Sequence, residues 1–120
     1  MIVLLKNITK NKIMSKNTKF ADNFFKRAKG LMFSSRNNFN YSLIFDLERN
    51  TVLGASIHMF FVFFPINLIF VDENKKIVEI KRNLKPFQIY NPKHCCRYII
   101  ELPIEFDIKS TTVSDLLSWN

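Results

Sequence analysis

The sequence predicts a mainly β (α+β) fold, a compact β sandwich or open barrel of jelly-roll-like class with one amphipathic helix near the N-terminus. Two observations carry this. Short apolar runs bounded by turn residues recur along the chain, six or seven in all, whereas only one stretch has helical spacing. The chain is also 120 residues long and 48% apolar, enough for one core, with no linker or internal repeat. A single domain over residues 1–120 follows.

The elements are justified in order. Residues 2–5 are apolar and read as a short strand, and Ile13 and Met14 can begin a pairing strand. The helix is expected over residues 18–29, where Phe20, Ala21, Phe24, Phe25 and Ala28 share a face. Thr18 can cap its N-terminus, Lys26, Arg27 and Lys29 complement its C-terminal dipole, and Gly30 suits a left-handed terminating turn. Residues 42–47 alternate as a strand. Residues 57–64 and 67–71 read as central apolar strands joined near Pro65, because proline breaks a helix but can begin or bend a strand. A turn at residues 72–75 leads to a strand at 76–81, so 67–81 reads as a hairpin. Residues 83–93 form a loop around Pro86 and Pro92, and residues 97–102 form a strand stopped by Pro103. Val113, Leu116, Leu117 and Trp119 supply a last apolar cluster.

Composition excludes several function classes. Only Gly30 and Gly54 are glycine, so neither a dinucleotide fingerprint nor a P-loop can exist. The net charge of +8 lies wholly in residues 1–36, where nine basic side chains face one acid; residues 37–120 balance. Such asymmetry suits an anion-binding face, and an AT-rich genome explains a lysine excess equally well. Cys95 and Cys96 are adjacent and cannot form a structural staple, which points to a reduced, cytoplasmic protein. No signal peptide is expected. Residues 51–71 carry no formal charge and are long enough to span a bilayer, but His58, Pro65 and Asn67 interrupt them, so the chain is read as not transmembrane.

Several segments together resemble a known family. Gly30-Leu31-Met32-Phe33 after the basic stretch is similar to its Gly-Leu-Met signature, and Ser42-Leu43-Ile44-Phe45 to its next strand. Residues 57–62 and 64–72 are similar to its central block, and Glu101-Leu102-Pro103 to its Glu-Leu-Pro segment. On these grounds the chain resembles domain-of-unknown-function family 192, also called uncharacterised protein family 127, with its archaeal branch nearest. The resemblance implies a β sandwich in a family whose biochemical role is not established, so no catalytic or binding residue carries over. The chain departs from the pattern at three places. Asn67 stands where the family usually has Asp, the glycine usual after Glu-Leu-Pro is missing near Glu105, and a late Gly-Asp pair is here Ser114-Asp115.

The residues offer no assembled catalytic set, no metal site and no cofactor motif. His94-Cys95-Cys96 cannot converge on one ion from a strand, since successive side chains alternate faces. His58, Asn67 and Glu101 are polar residues in apolar strands, and a small ligand held in a cleft near them is the leading reading. Two of them also have a purely structural reading: His58 as a hydrogen-bonded histidine near the core, Glu101 as an ion-pair partner of Arg97 or of a helix lysine. The alternative function is a binding module whose basic first third engages nucleic acid or an anionic surface. Lys19, Lys26, Arg27, Lys29 and Arg36 are its candidate anion-binding residues.

Overall fold

The computed structural model describes residues 2–21 and 31–119. Its centre is a five-stranded sheet. The alternation in residues 42–47 extends to a ten-residue strand β4 (Ser42–Thr51), if strands β1 (Leu5–Asn7), β2 (Lys12–Ser15) and β3 (Thr18–Ala21) are counted before it. After it come β5 (Ile57–His58), β6 (Ile66–Val71), β7 (Ile77–Leu84), β8 (Ile89–Tyr90), β9 (Cys96–Pro103) and β10 (Leu117–Trp119). The large sheet has the order β3-β4-β9-β6-β7, so β9, late in the chain, is the middle strand. A three-stranded sheet, β10-β1-β2, and a two-stranded one, β5-β8, complete the set.

Period-two alternation sorts the central side chains into two cores. Leu43 and Phe45 of β4, Leu68 and Phe70 of β6 and Ile99 of β9 face one core, closed by Leu31, Phe39, Met59, Val62 and Phe64 from the loops. Ile44, Ile69, Val71, Ile100 and Leu102 face the other, closed by Leu5, Met14 and Leu117 of the smaller sheet. All six residues of β6 are buried, as expected for a strand covered on both faces.

The expected hairpin is present: β6 and β7 pair antiparallel around residues 72–75, where Asp72 Oδ1 accepts from the Asn74 and Lys76 amides, each at 2.9 Å. The expected strand over 57–64 is not. Only Ile57 and His58 pair, with Tyr90 and Ile89, and the chain then turns, with the Val62 amide donating to the Met59 carbonyl and Phe61 at a φ of 59°. The turn sends Met59, Val62 and Phe64 inward and leaves Phe60, Phe61 and Phe63 outside.

The amphipathic helix expected over residues 18–29 is overturned at its start. Thr18–Ala21 is strand β3, paired parallel with β4 in register Thr18 to Ser42 and Ala21 to Phe45. The Thr18 hydroxyl, expected to cap a helix, instead lies 2.7 Å from the Ser42 hydroxyl, and the Ser42 amide donates to the Asn17 carbonyl at 2.9 Å. Edge pairing with an existing sheet outweighs a helical pattern whose intrinsic preference amounts to only a few tenths of a kcal/mol per residue, of order ~0.5. Phe20 is correspondingly exposed. Residues 22–30, including Gly30, lie outside the described residues. Among the described residues the sole helical turn is a 3-10 turn at Arg36–Asn38, and no helix is long and apolar enough to cross a membrane.

The chain ends are fastened by a buried polar knot. Asp115 accepts from the Asn7 amide nitrogen at 2.8 Å, from Lys10 Nζ at 2.9 Å and from the Thr112 backbone amide at 2.9 Å. Burial alone would raise its pKa, but these hydrogen bonds outweigh burial and hold the carboxyl down at about 2. Ser114, just before it, sits at a φ of 80°, the left-handed region where a Cβ costs about 1 kcal/mol. This is the place at which the resembled family usually carries glycine. Ser114→Gly is therefore expected to stabilise the protein by about 0.5–1 kcal/mol, read as a higher urea midpoint at unchanged m-value. A lower midpoint would show that the Ser114 side chain contributes more than its strain.

Candidate ligand-binding site

Glu101 stands in the second half of β9, the middle strand of the five-stranded sheet. Its register partners are Leu43 on one side and Leu68 on the other, so it projects into the first core between two leucines. It is 5% exposed, and its Oε1 is buried with no hydrogen-bond partner. Burial alone pushes its pKa up to about 8. The ion pair with Arg97 considered from the sequence is not made: Arg97 instead reaches Asp46, with Nε to Oδ1 at 3.0 Å. Two residues along a strand from Glu101, on the same face, a side chain could meet it, but Arg97 is four away across a twist and serves the sheet's other end.

Beside Glu101 lies a cavity of about 90 Å³. Strands β4, β6 and β9 form its floor through Phe45, Ile66 and Ile99; the turns at residues 31–32 and 54–62 form its walls. Gly54 turns there at a φ of 77° with open space around it. The cavity exceeds the roughly 10–15 Å³ that one water needs, and is smaller than the roughly 150 Å³ cavity known to admit benzene. Among the described residues its lining is apolar apart from Ser56, His58 and Glu101. The Ser56 hydroxyl donates to Asn91 Oδ1, so its lone pairs remain the part of it able to meet a ligand.

The structure brings two of the three cleft candidates to one cavity. His58 is at the rim, exposed, its ring stacked on Phe60 at 5.2 Å. Asn67 is on the other face of the sheet, because its register partner is Leu102 and not Glu101. There Asn67 Oδ1 accepts from the Asn83 amide at 2.9 Å, a bond that holds Asn83 at a φ of 56°. Outside the cavity, Phe33, Phe61, Phe63 and Phe87 form an exposed aromatic cluster, with Phe33 and Phe61 stacked at 5.0 Å. Phe33, Phe61 and Phe87 all have left-handed φ values, near 60°, uncommon for a bulky side chain.

A second buried carboxylate was not singled out from the sequence. Glu79 of β7 accepts from the Tyr90 hydroxyl, from the Lys93 and His94 amides at 2.9 and 3.2 Å, and meets His94 Nδ1 at 2.8 Å. Burial opposes its ionisation, but the hydrogen bonds from Tyr90, His94 and Lys93 prevail and its pKa is lowered. The cluster pins the 85–95 loop to the sheet. The signal for it was a carboxylate alternating with Val78 and Ile80, one loop away from Tyr90. Cys96 is buried beside it, its thiol raised to about 11 chiefly by burial, and Cys95 is exposed.

Of the anion-binding candidates, Lys26, Arg27 and Lys29 lie outside the described residues. Lys19 places its ammonium 4.2 Å from the centre of the Tyr41 ring, and Arg36 pairs with Glu105 at 2.9 Å. Lys10 and Lys12 pair with Asp115 and Asp107. Part of the basic excess of the first third is thus matched by acids of the last fifth.

The model of domain-of-unknown-function family 192, described as an uncharacterised ACR, matches residues 6–114. A UPF0127 protein of Thermococcus sibiricus is 42% identical over 117 residues, covering 97% of this chain and 74% of the relative. One from Pyrococcus furiosus is 41% identical over 115 residues, covering 95% and 96%. Two solved structures share the fold at 18% identity. A Sinorhizobium meliloti protein, provisionally described as a transcription regulator, has a TM-score of 0.82 over 98% of this chain and 91% of its own. A Novosphingobium aromaticivorans protein of unknown function has 0.79 over 98% and 83%.

Glu101 makes stability depend on pH with a definite sign. Its folded pKa, about 8, lies above the ordinary 4.5, so the folded state holds the proton more tightly. Its contribution to stability is complete below pH 4.5 and is lost as pH rises through about 8, by roughly 5 kcal/mol in the limit. Chemical denaturation at pH 5, 7 and 9 should show this decline in the natural protein and its loss in Glu101→Gln. Parallel pH profiles for the two proteins would mean that Glu101 titrates normally.

Proposed function

We propose a small-ligand-binding function for this chain, which belongs to domain-of-unknown-function family 192. The observation that carries the reading is the buried, unpartnered Oε1 of Glu101 beside an apolar cavity. A polar atom buried without a partner costs about 1–3 kcal/mol, and a ligand that supplies the missing hydrogen bond recovers it on binding. The remaining walls suit an aliphatic body. A pocket of this kind, mostly apolar with few converging polar groups, is the usual form of a small-molecule site.

The cavity volume bounds the affinity. About five heavy atoms fit, and at most about 1.5 kcal/mol per atom gives a ceiling near 7 kcal/mol, or a Kd no tighter than several micromolar. The domain then works as a receptor or carrier for an abundant small molecule. No nucleophile, base and oxyanion donors are assembled around Glu101 among the described residues, and the reading includes no reaction.

Methyl NMR of the full chain tests it. Isobutanol, isobutylammonium and isobutyrate are titrated in turn, and at least one should give saturable shifts at the Ile57, Ile66 and Ile99 methyls. Met32→Trp, at a half-buried wall position, should abolish those shifts while the protein keeps its melting temperature within a few degrees. If none of the three probes gives saturable shifts, the cavity is a packing defect and the reading fails.

A further inference from the structure

We infer that the Glu101 cavity recognises a small organic cation, an alkyl group bearing a primary ammonium that pairs with the Glu101 carboxylate. This rests on the small-ligand reading and names its ligand class.

Three features select a cation over a neutral or anionic ligand. The first is the unpartnered, buried Oε1 of Glu101, a side chain that lines the cavity. An ammonium offers three donors and the charge that complements an ionised carboxylate. The second is the sign of what surrounds it. No lysine or arginine lines the cavity among the described residues, so none of these offers a charge to hold a carboxylate or phosphate. Once Glu101 is ionised, an anion there would also face a second carboxylate, and two carboxylates in one apolar site repel. The third is the wall. Phe45 contributes an aromatic ring, and Met32 and Met59 contribute polarisable thioethers, surfaces that favour a cation with an alkyl body.

Folding has already taken the Glu101 carboxyl out of water, so pairing costs the desolvation of the ligand and the loss of the Glu101 proton. Glu101 must shed its proton to form the pair. The titratable groups near it are Tyr41, whose pKa is raised by burial and by the Glu101 charge, and His58 at the rim. Neither is bonded to it. With a pKa of about 8, Glu101 is roughly 90% protonated at pH 7, so binding there releases about 0.9 proton. Near pH 9 the carboxylate is already ionised and the amine, with an ordinary pKa of about 10.4, is still charged. Affinity should therefore rise about tenfold between pH 7 and pH 9.

Calorimetry with isobutylammonium and isobutanol, probes of equal size, tests the inference on the full chain. At pH 7, runs in phosphate and in Tris report the proton released. The expected result is tighter binding of isobutylammonium than of isobutanol, about 0.9 proton released at pH 7, and about tenfold tightening by pH 9. Glu101→Gln should weaken isobutylammonium at least tenfold, abolish proton release and leave isobutanol within about twofold, which also shows that the variant is folded. If isobutanol or isobutyrate binds at least as tightly as isobutylammonium, the cation inference fails and the small-ligand reading stands. Unchanged isobutylammonium binding by Glu101→Gln overturns the inference in the same way. If no probe binds, both fail.

Discussion

Strand β6, the first four residues of β4 and the last five of β9 are covered on both faces, and a sheet covered twice has no solvated side on which to place polar residues. Each of its residues must therefore be apolar, or polar and satisfied by something inside. That requirement fixes the chemistry of the whole molecule. Asn67 meets it, because a backbone amide of the adjacent strand donates to its Oδ1. Ser42 meets it through Thr18. Glu79, on the neighbouring strand β7, meets it with the hydrogen bonds of an entire loop. Glu101 does not meet it. In the middle strand, between Leu43 and Leu68, its carboxyl is buried and Oε1 has no partner.

The same constraint explains the form of the cavity. The sheet's second face is closed by another sheet, whose side chains interdigitate with it. The first face is closed mainly by turns, at residues 31–41 and 54–64, and turns fill space less evenly than strands. Several of these turns reverse the chain at phenylalanine, not at glycine, with Phe33, Phe61 and Phe87 in left-handed conformations. Backbone in that region holds its shape only where the surroundings over-determine it, and the mutual stacking of those rings supplies the determination. The walls of the cavity are thus fixed from outside by aromatic contacts, which leaves its interior free of the job of holding them.

How far the sequence foretold this depends on the kind of signal. Alternating and continuous apolar runs identified β4, β6, β7 and β9, because burial of a strand leaves a period that composition cannot hide. Residues 18–21 misled because spacing alone cannot see an unpaired sheet edge waiting beside Ser42. Residues 57–64 misled for a related reason: an unbroken apolar run reads as a strand, whereas here it alternates irregularly between core and surface around a turn at Phe61. Glu101 and His58 stood out as polar residues in apolar surroundings, and both line one cavity. Asn67 stood out on the same ground, yet parity of register sends it to the opposite face. That parity depends on which strands are neighbours, and a single sequence does not contain it.

Charge follows the same division between local and long-range information. The surplus of bases in residues 1–36 is plain from counting, but its meaning depends on what lies across from them. Lys10, Lys12 and Arg36 meet Asp115, Asp107 and Glu105, so opposite charges bring together parts of the chain separated by 105, 95 and 69 residues. Of these pairs only the one at Asp115 is well buried, and surface pairs contribute little, typically about 0.5 kcal/mol each. The knot around Asp115 is thereby the electrostatic complement of Glu101. One buried carboxylate is surrounded by donors and held ionised; the other has none and is held neutral. A fold that supplies four partners to a carboxylate at its margin has the means to satisfy one, so the isolation of Glu101 is a property of its position at the cavity.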